Sequence, residues 1–549
     1  MTVQTDTVIH TDAVVVGAGF AGLYMLHTLR DKLGMRAEIF EAADDVGGTW
    51  YWNRYPGARC DISSYHYSFS FSEEVQQEWC WSEKYAAQPE ILAYLGFVAD
   101  KLKLRNDITF ETRVISSDFN ENTNRWTIKT DKGHTVVCKY YISGVGVLST
   151  AAVPSYPGKD TFKGEIYTTS SWPHDGVDFT GKTVGIIGTG ASAIQAIPII
   201  ANEAKHLTVF QRTPNYTSPL QNRPMEDDEV ETIKANYGQL RKEARASLAG
   251  VTLPKLRESI FNDSSEEVQR HLEVCWNDGG FSLWLGSYAD ILFDEKANEI
   301  AATFVRKKIR ERVKDPKTAE LLCPDYLYGT KRQPCETDYF ETYNRENVSL
   351  VDIKSTPIQQ ITDNGLKLTS EETHKFDCLI YSTGFDAFIG PLFKLNLTGR
   401  RGVRLQDSWS EVPRTYLGLM SNGFPNFFMI TGPQSPSVLF NMPLGIEQHV
   451  EWIADVIRYM ENNDIETIEP EATKEDEWRT VVEGIANATL LPKTNTWYTG
   501  SNIPGKPRSF MIYLGGGTAY RQACDDVAEN DYYGFILDKA FSSQEAIAP

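Results

Sequence analysis

Two glycine-rich turns carry the clearest chemical signal in this chain. Gly17-Ala-Gly19-Phe-Ala-Gly22 and Gly188-Thr-Gly190-Ala-Ser192-Ala193 are both versions of GxGxx(G/A). Each comes after a short apolar run, Ala13 to Val16 and Thr183 to Ile187. Each leads into apolar residues at helical spacing: Leu23, Leu26 and Leu29 after the first, Ile194 to Ile200 after the second. In that setting the glycines allow a tight turn and the close approach of a pyrophosphate, which then meets the positive end of the helix. A lone GxGxxG says little, but strand, turn and helix in succession describe a dinucleotide site.

The residue at the end of the next strand separates the two turns. Glu41 closes the apolar run Ala37 to Phe40 and stands 24 residues after Gly17, where a carboxylate receives ribose hydroxyls. Arg212 closes the run Leu207 to Phe210, stands 24 residues after Gly188 and is followed by Thr213. A guanidinium there pairs a 2′-phosphate that a carboxylate would repel. The first site therefore reads as one for FAD and the second as one for NADPH.

Two further stretches hold candidate chemistry. The segment Gly47-Gly48-Thr49-Trp50-Tyr-Trp-Asn-Arg-Tyr55-Pro56-Gly57-Ala-Arg-Cys-Asp61 turns tightly and is rich in aromatic residues, which suits a backbone wrapped around a flat ring. Position alone would allow Asp61 to be a surface turn residue, but its place in this segment favours a functional carboxylate. Lys331 and Arg332 stand side by side between Gly329 and Pro334, a pattern that an ordinary exposed loop would also show. Gly176 to Thr183 matches GxxxxGK(S/T), yet it runs into a strand rather than a helix, so ATP binding is rejected.

The elements that must position these residues read as an α/β fold: two nested Rossmann-like dinucleotide-binding domains with an inserted helical subdomain. Residues 1–145 and 383–549 would form the FAD-binding domain, 153–213 and 330–382 the NADPH-binding domain, and 214–329 the helical insertion. In the insertion we expect helices over Asp227 to Leu248, over Ser265 to Trp276 behind a Ser264/Glu267 capping box, and over Asp294 to Val313, the last stopped by Pro316. Short strands are expected at Ile108 to Glu111, Trp126 to Lys129, Thr135 to Cys138, Val348 to Val351 and Phe376 to Tyr381, and further helices near 447–460 and 473–490. With 54 basic and 74 acidic residues the net charge is −20, which argues against nucleic acid or an anionic membrane as a partner. The eight cysteines form no CxxC pair, so neither zinc nor dithiol chemistry is expected, and no metal site is assigned. The longest apolar run, Ala13 to Leu26, is shorter than the ~20 residues of a membrane-spanning helix, and the N-terminus lacks the basic region of a signal peptide. These features suggest a cytoplasmic enzyme, and nothing in the chain speaks to its oligomeric state.

Taken together the motifs resemble those of the type I Baeyer–Villiger monooxygenases. The family pattern GxWxxxx(F/Y)PGxxxD is matched in full by Gly48, Trp50, Tyr55, Pro56, Gly57 and Asp61. The family's linker pattern FxGxxxHxxxW(P/D) is matched by Phe162, Gly164, Trp172 and Pro173, but the histidine position is Thr168, with His174 six residues on. The resemblance implies an NADPH- and O2-dependent conversion of ketones to esters or lactones through a C4a-peroxyflavin. It further implies that Arg332 is the catalytic cation and that Asp61 orients it. By the same carry-over Lys331 contacts the NADPH 2′-phosphate beside Arg212 and Thr213, and Trp497 belongs to a segment, 497–508, that closes over NADP⁺. The loop Ser435 to Phe440 would line the ketone pocket. Two alternatives stay open: a flavin monooxygenase acting on nitrogen or sulfur in soft nucleophiles, and, because threonine cannot carry the charge of a histidine, an uncoupled or non-catalytic NADPH oxidase-like flavoprotein.

Overall fold

A computed structural model describes residues 8–506 and 508–539. Strands β1 (Ala13–Val16), β2 (Ala37–Phe40), β3 (Ile108–Thr109), β4 (Tyr140–Ser143), β5 (Glu165–Thr168), β6 (Thr183–Ile187), β7 (His206–Gln211), β8 (Val348–Asp352), β9 (Cys378–Tyr381) and β10 (Phe427–Met429) build two five-stranded sheets. One has the order β10-β4-β1-β2-β3 and the other β8-β7-β6-β9-β5, and every pairing in both is parallel. β1, β4, β6 and β9 are buried, or nearly so, along their lengths, as expected where both faces of a parallel sheet are covered.

β1 and β6 hold the same place in their sheets, with consecutive strands on one side and a strand from later in the chain on the other. That is the switch point at which a crevice opens beyond the carboxyl ends of the strands. The turns match as well. A Cβ on Gly17 would stand 2.8 Å from the carbonyl of Gly144, just past β4, and one on Gly188 would stand 2.1 Å from that of Ser382, just past β9. Only a residue without a side chain fits beside the neighbouring strand at either point.

The helices include α1 (Phe20–His27), α2 (Thr49–Trp52), α3 (Gln88–Lys101), α4 (Ala191–Glu203), α5 (Asp227–Ala235), α6 (Tyr237–Ala246), α7 (Ser265–Asp278), α8 (Glu295–Arg312), α9 (Pro316–Leu322), α10 (Met442–Asn462) and α11 (Ala472–Asn487). The Ser264/Glu267 capping box at the start of α7 is formed in both directions. Two local expectations are corrected. The helix expected over Asp227 to Leu248 is two helices, broken at Asn236, whose φ of −114° leaves the helical range. Pro316 does not stop α8; Val313 already ends it, and Pro316 opens α9 behind the capping side chain of Asp315, where a missing N–H costs nothing. Ile108–Thr109 joins the first parallel sheet, whereas Arg125–Thr130 and Thr135–Cys138 pair antiparallel in a separate sheet with an unforeseen strand, Val114–Asn120. No helix among the described residues is long and apolar enough to cross a membrane.

Candidate functional site

The two turns offer what a dinucleotide requires. α1 and α4 begin at Gly19 and Gly190 with no side-chain cap and no acidic residue in the first turn, which leaves their leading N–H groups for an anion. Around the first turn the fit is close. A Cβ on Gly22 would come within 1.8 Å of the Gly17 carbonyl, and one on Gly48 within 2.9 Å of the Gly19 Cα, so Gly48 and the segment it opens lie directly against the turn. Glu41 is buried, and its carboxylate accepts from the backbone N–H of Ala18 at 2.6 Å and of Ala43 at 2.8 Å. The expected ribose partner thus also braces the turn. Burial pushes its carboxyl above the ordinary range, while the N–H groups of Ala18 and Ala43 oppose that shift.

The segment after Gly48 crosses to the second half of the molecule. Thr49 is exposed at the start of α2, and Trp50 is buried, with its indole N–H donating to the Tyr67 hydroxyl at 3.3 Å. Asp61, at the far end, meets Arg332: Oδ1 accepts from Nη2 at 2.9 Å across 271 positions of sequence. The two side chains are 22% and 21% exposed, which leaves both in reach of a small molecule. The guanidinium lies 4.5 Å from the centre of the Phe281 ring and 5.9 Å from that of Trp284, both from the helical insertion. Trp284 also fixes the loop, because its indole N–H donates to the Gly329 carbonyl at 3.1 Å. Burial works against the charge on Arg332, but Asp61 and its other neighbours more than offset it and hold the guanidinium above its ordinary value. The pair is therefore a fixed, oriented cation walled by aromatic rings.

Lys331 has a different setting. Its ammonium lies 4.4 Å from the centre of the Tyr326 ring, and its pKa is lowered by burial and then by the nearby charge of Arg212. Arg212 is exposed and makes no hydrogen bond or ion pair among the described residues. Thr213 is held by its own carbonyl, which accepts from the Thr189 hydroxyl at 2.9 Å; Ser192 is half-buried in the first turn of α4. Two neighbouring cations, neither of them in an ion pair among the described residues, suit a phosphate dianion.

Trp497 stacks on Phe388, with centroids 5.8 Å apart, and its segment is docked: Lys506 donates to Asp386 at 2.6 Å and Asn502 to the Phe385 carbonyl at 2.9 Å. Pro507, within the segment expected to move, lies outside the described residues. Within 435–440, Phe440 packs near Gly250 and Gly517, and the adjacent Asn441 donates to the carbonyls of His66 and Gly250. Thr168 ends β5, while His174 is exposed elsewhere with its ring 4.9 Å from that of Tyr51, so it does not occupy the place of the absent histidine. Sequence reasoning missed Phe281, Trp284 and Gln195. Gly279-Gly280-Phe281 shows the glycine-and-aromatic signal read at 47–57, but it lies within an otherwise polar insertion; Gln195 carries no signal at all.

The chain is similar to several known proteins. Residues 14–303 match the family model described as pyridine nucleotide-disulphide oxidoreductase. All eight cysteines here are free, so that match concerns the nucleotide folds rather than a redox disulfide. A protein of Pseudooceanicola batsensis named Baeyer-Villiger monooxygenase is 45% identical over 529 residues, 96% of either chain. Phenazine N-monooxygenase PhzNO1 of Lysobacter antibioticus is 41% identical and covers 98% of this chain and 99% of its own. Among solved structures, OTEMO in complex with FAD and NADP superposes with a TM-score of 0.93 at 41% identity, covering 96% of this chain and 99% of that one.

Proposed function

Starting from a chain that belongs to the type I Baeyer–Villiger monooxygenases, we propose that Arg332 and Asp61 are its catalytic pair and that the two turns bind the cofactors in the order the sequence suggests. The enzyme is an FAD- and NADPH-dependent monooxygenase that oxygenates ketones. In balance, ketone, NADPH, H⁺ and O2 give ester, NADP⁺ and water, with one oxygen atom inserted and the other reduced. The chemistry supplied by the bound cofactors is hydride transfer from NADPH to FAD and the activation of dioxygen by the reduced ring.

The protein's share is orientation and charge. Oxygen insertion beside a carbonyl develops negative charge on oxygen. Arg332 supplies a fixed cation for it, one that stays protonated at any working pH. Asp61 holds the fork in place, and Phe281 and Trp284 exclude water from one side of it. Gly17, Gly19, Gly22, Gly48, Thr49, Trp50 and Glu41 would hold FAD; Gly188, Gly190, Ser192, Arg212, Thr213, Lys331 and Trp497 would hold NADPH. The domain reading (1–145 and 383–549; 153–213 and 330–382; 214–329) is supported by the return of β10 to the first sheet and of β8 and β9 to the second. A cytoplasmic location is supported by the eight free thiols.

The single observation that carries the catalytic assignment is the Asp61–Arg332 contact between the flavin segment and the Lys331–Arg332 loop. Its test is Arg332→Ala. The variant should still bleach its flavin with NADPH in the absence of oxygen, should release hydrogen peroxide in air, and should lose ester formation by on the order of 10²–10³ or more. Ester at the wild-type rate would overturn the assignment. The relationship to an N-monooxygenase favours one second reading, oxygenation of nitrogen in soft nucleophiles. A panel of amines beside the ketones separates the two.

A further inference from the structure

We propose that Gln195 is a positioning residue that keeps the two nucleotide-binding halves in register, so that Asp61 of one half meets Arg332 of the other. This rests on the proposed division of the chain into a flavin half and a nicotinamide half.

Gln195 lies in the second turn of α4, directly after the Gly188–Ala193 turn. Its side chain reaches into the flavin segment and is engaged at both ends of the amide. The Tyr55 hydroxyl donates to Oε1 at 2.8 Å, and Nε2 donates to the Arg59 carbonyl at 3.0 Å. Between those two points lies Gly57, where a Cβ would stand 2.5 Å from the backbone carbonyl of Gln195 itself. The loop from Tyr55 to Arg59 therefore closes around one residue of α4, gripping its amide from both sides and its backbone in the middle.

Both ends of this clasp are stiff. On the flavin side, Cys60 N–H donates to the Ala86 carbonyl at 3.1 Å and Gln88 N–H to that of Ala58 at 2.9 Å, and the Arg59 guanidinium bonds Glu83 and the Tyr85 carbonyl. On the other side Ile194, Ala196 and Ile197, the neighbours of Gln195, are in the core beneath α4. Asp61 comes two residues after the gripped carbonyl, and Arg332 is bonded to Asp61. The path from α4 to the guanidinium is short and has no loose joint. A glutamine that merely covered the helix surface would not need both amide atoms satisfied by residues 140 and 136 positions away.

Catalysis by a fixed charge is sensitive to displacement, and an error of about 1 Å can cost on the order of 10² in rate. A small slip at this interface would leave each half folded and each cofactor site intact while moving Arg332 away from Asp61. The consequence is a failure of coupling rather than of binding.

The test uses the holoenzyme, comparing wild type with Gln195→Leu, Tyr55→Phe and the double variant, with the ketone that wild type converts fastest from a panel. Gln195→Leu should retain its FAD and keep its KM for NADPH within about twofold. Ester formed per NADPH consumed should fall at least about fivefold, with hydrogen peroxide making up the difference. Tyr55→Phe, which removes one of the two bonds, should lose less, and the double variant should be no worse than Gln195→Leu alone. An unchanged ester-to-NADPH ratio in Gln195→Leu, even with a lower melting temperature, overturns the proposal, because a purely structural glutamine would lower stability alone. A second readout needs no turnover. If Gln195 acts through Asp61, the melting-temperature losses of Gln195→Leu and Asp61→Asn should fall short of adding in the combined variant; full additivity would also overturn the proposal. Should wild type yield no ester from any ketone, the functional reading fails, and this second experiment still decides the clasp.

Discussion

The two glycine turns share a plan and differ in what surrounds them. At the first, the third glycine has no room for a methyl group, the second lies against Gly48, and Glu41 closes the turn with two backbone hydrogen bonds. At the second, the third position is alanine, a Cβ on Gly190 would meet nothing within 4 Å, and the distinguishing side chain, Arg212, stands exposed. The first is an enclosed cradle that suits a cofactor that stays. The second has an open rim lined by charge, which suits one that leaves after each turnover. On the proposed assignment the same sequence pattern would serve retention in one place and exchange in the other, through the neighbours of the glycines.

The strongest way to break this comparison is to place the same methyl group in both turns. Gly22→Ala should abolish flavin retention, because the new carbon would lie 1.8 Å from the Gly17 carbonyl and neither backbone can yield without opening the turn. The purified protein would be colourless. Gly190→Ala meets no protein atom and should retain its flavin, but its methyl would stand where the pyrophosphate approaches the backbone, so the KM for NADPH should rise by on the order of tenfold or more. If both variants kept their flavin, or both lost it, the contrast between the turns would be wrong. Arg212→Ala should have a smaller effect, confined to one cofactor. Loss of one charge-assisted contact of about 1.5–3 kcal/mol predicts a fall of roughly tenfold to a hundredfold in the preference for NADPH over NADH, measured as the ratio of kcat/KM values. An unchanged preference would remove Arg212 from the 2′-phosphate site.

Much of this organisation could be read from the chain because its signals are local. Ala13–Val16 and Thr183–Ile187 are short apolar runs stopped by glycine, and Ser264 and Glu267 are three residues apart in one turn. The inserted helices are legible for the same reason, although Asn236 and Pro316 escape that reading because a break or a start there depends on a single backbone position. The site itself is less legible. Arg332 and Asp61 are 271 positions apart, and only the resemblance to a family brings them together. Gln195 is the one polar residue in the apolar run 194–201, and its two partners come from the flavin segment. Phe281 and Trp284 are positioned by how the insertion folds back over the loop at Gly329, which no periodicity encodes.

The finest distinction between the two halves concerns pH. Glu41 is enclosed and held by backbone donors, whereas Lys331 sits in a half-buried position with its pKa lowered first by burial and then by Arg212. Lys331 is charged below its pKa and neutral above it, so the attraction proposed between it and the 2′-phosphate would be present at neutral pH and lost as pH rises through a value below that of an ordinary lysine. The plot of kcat/KM for NADPH, which reports the free enzyme, should therefore turn downward in the alkaline range, while that for NADH should not share the inflection. Arg212→Gln sharpens the point. Removing a like charge relieves the repulsion on Lys331, so the inflection should move to higher pH even as the overall value falls. A shift to lower pH, or none, would mean that the two cations do not face the same phosphate, and the second turn would then need another source for its cofactor preference.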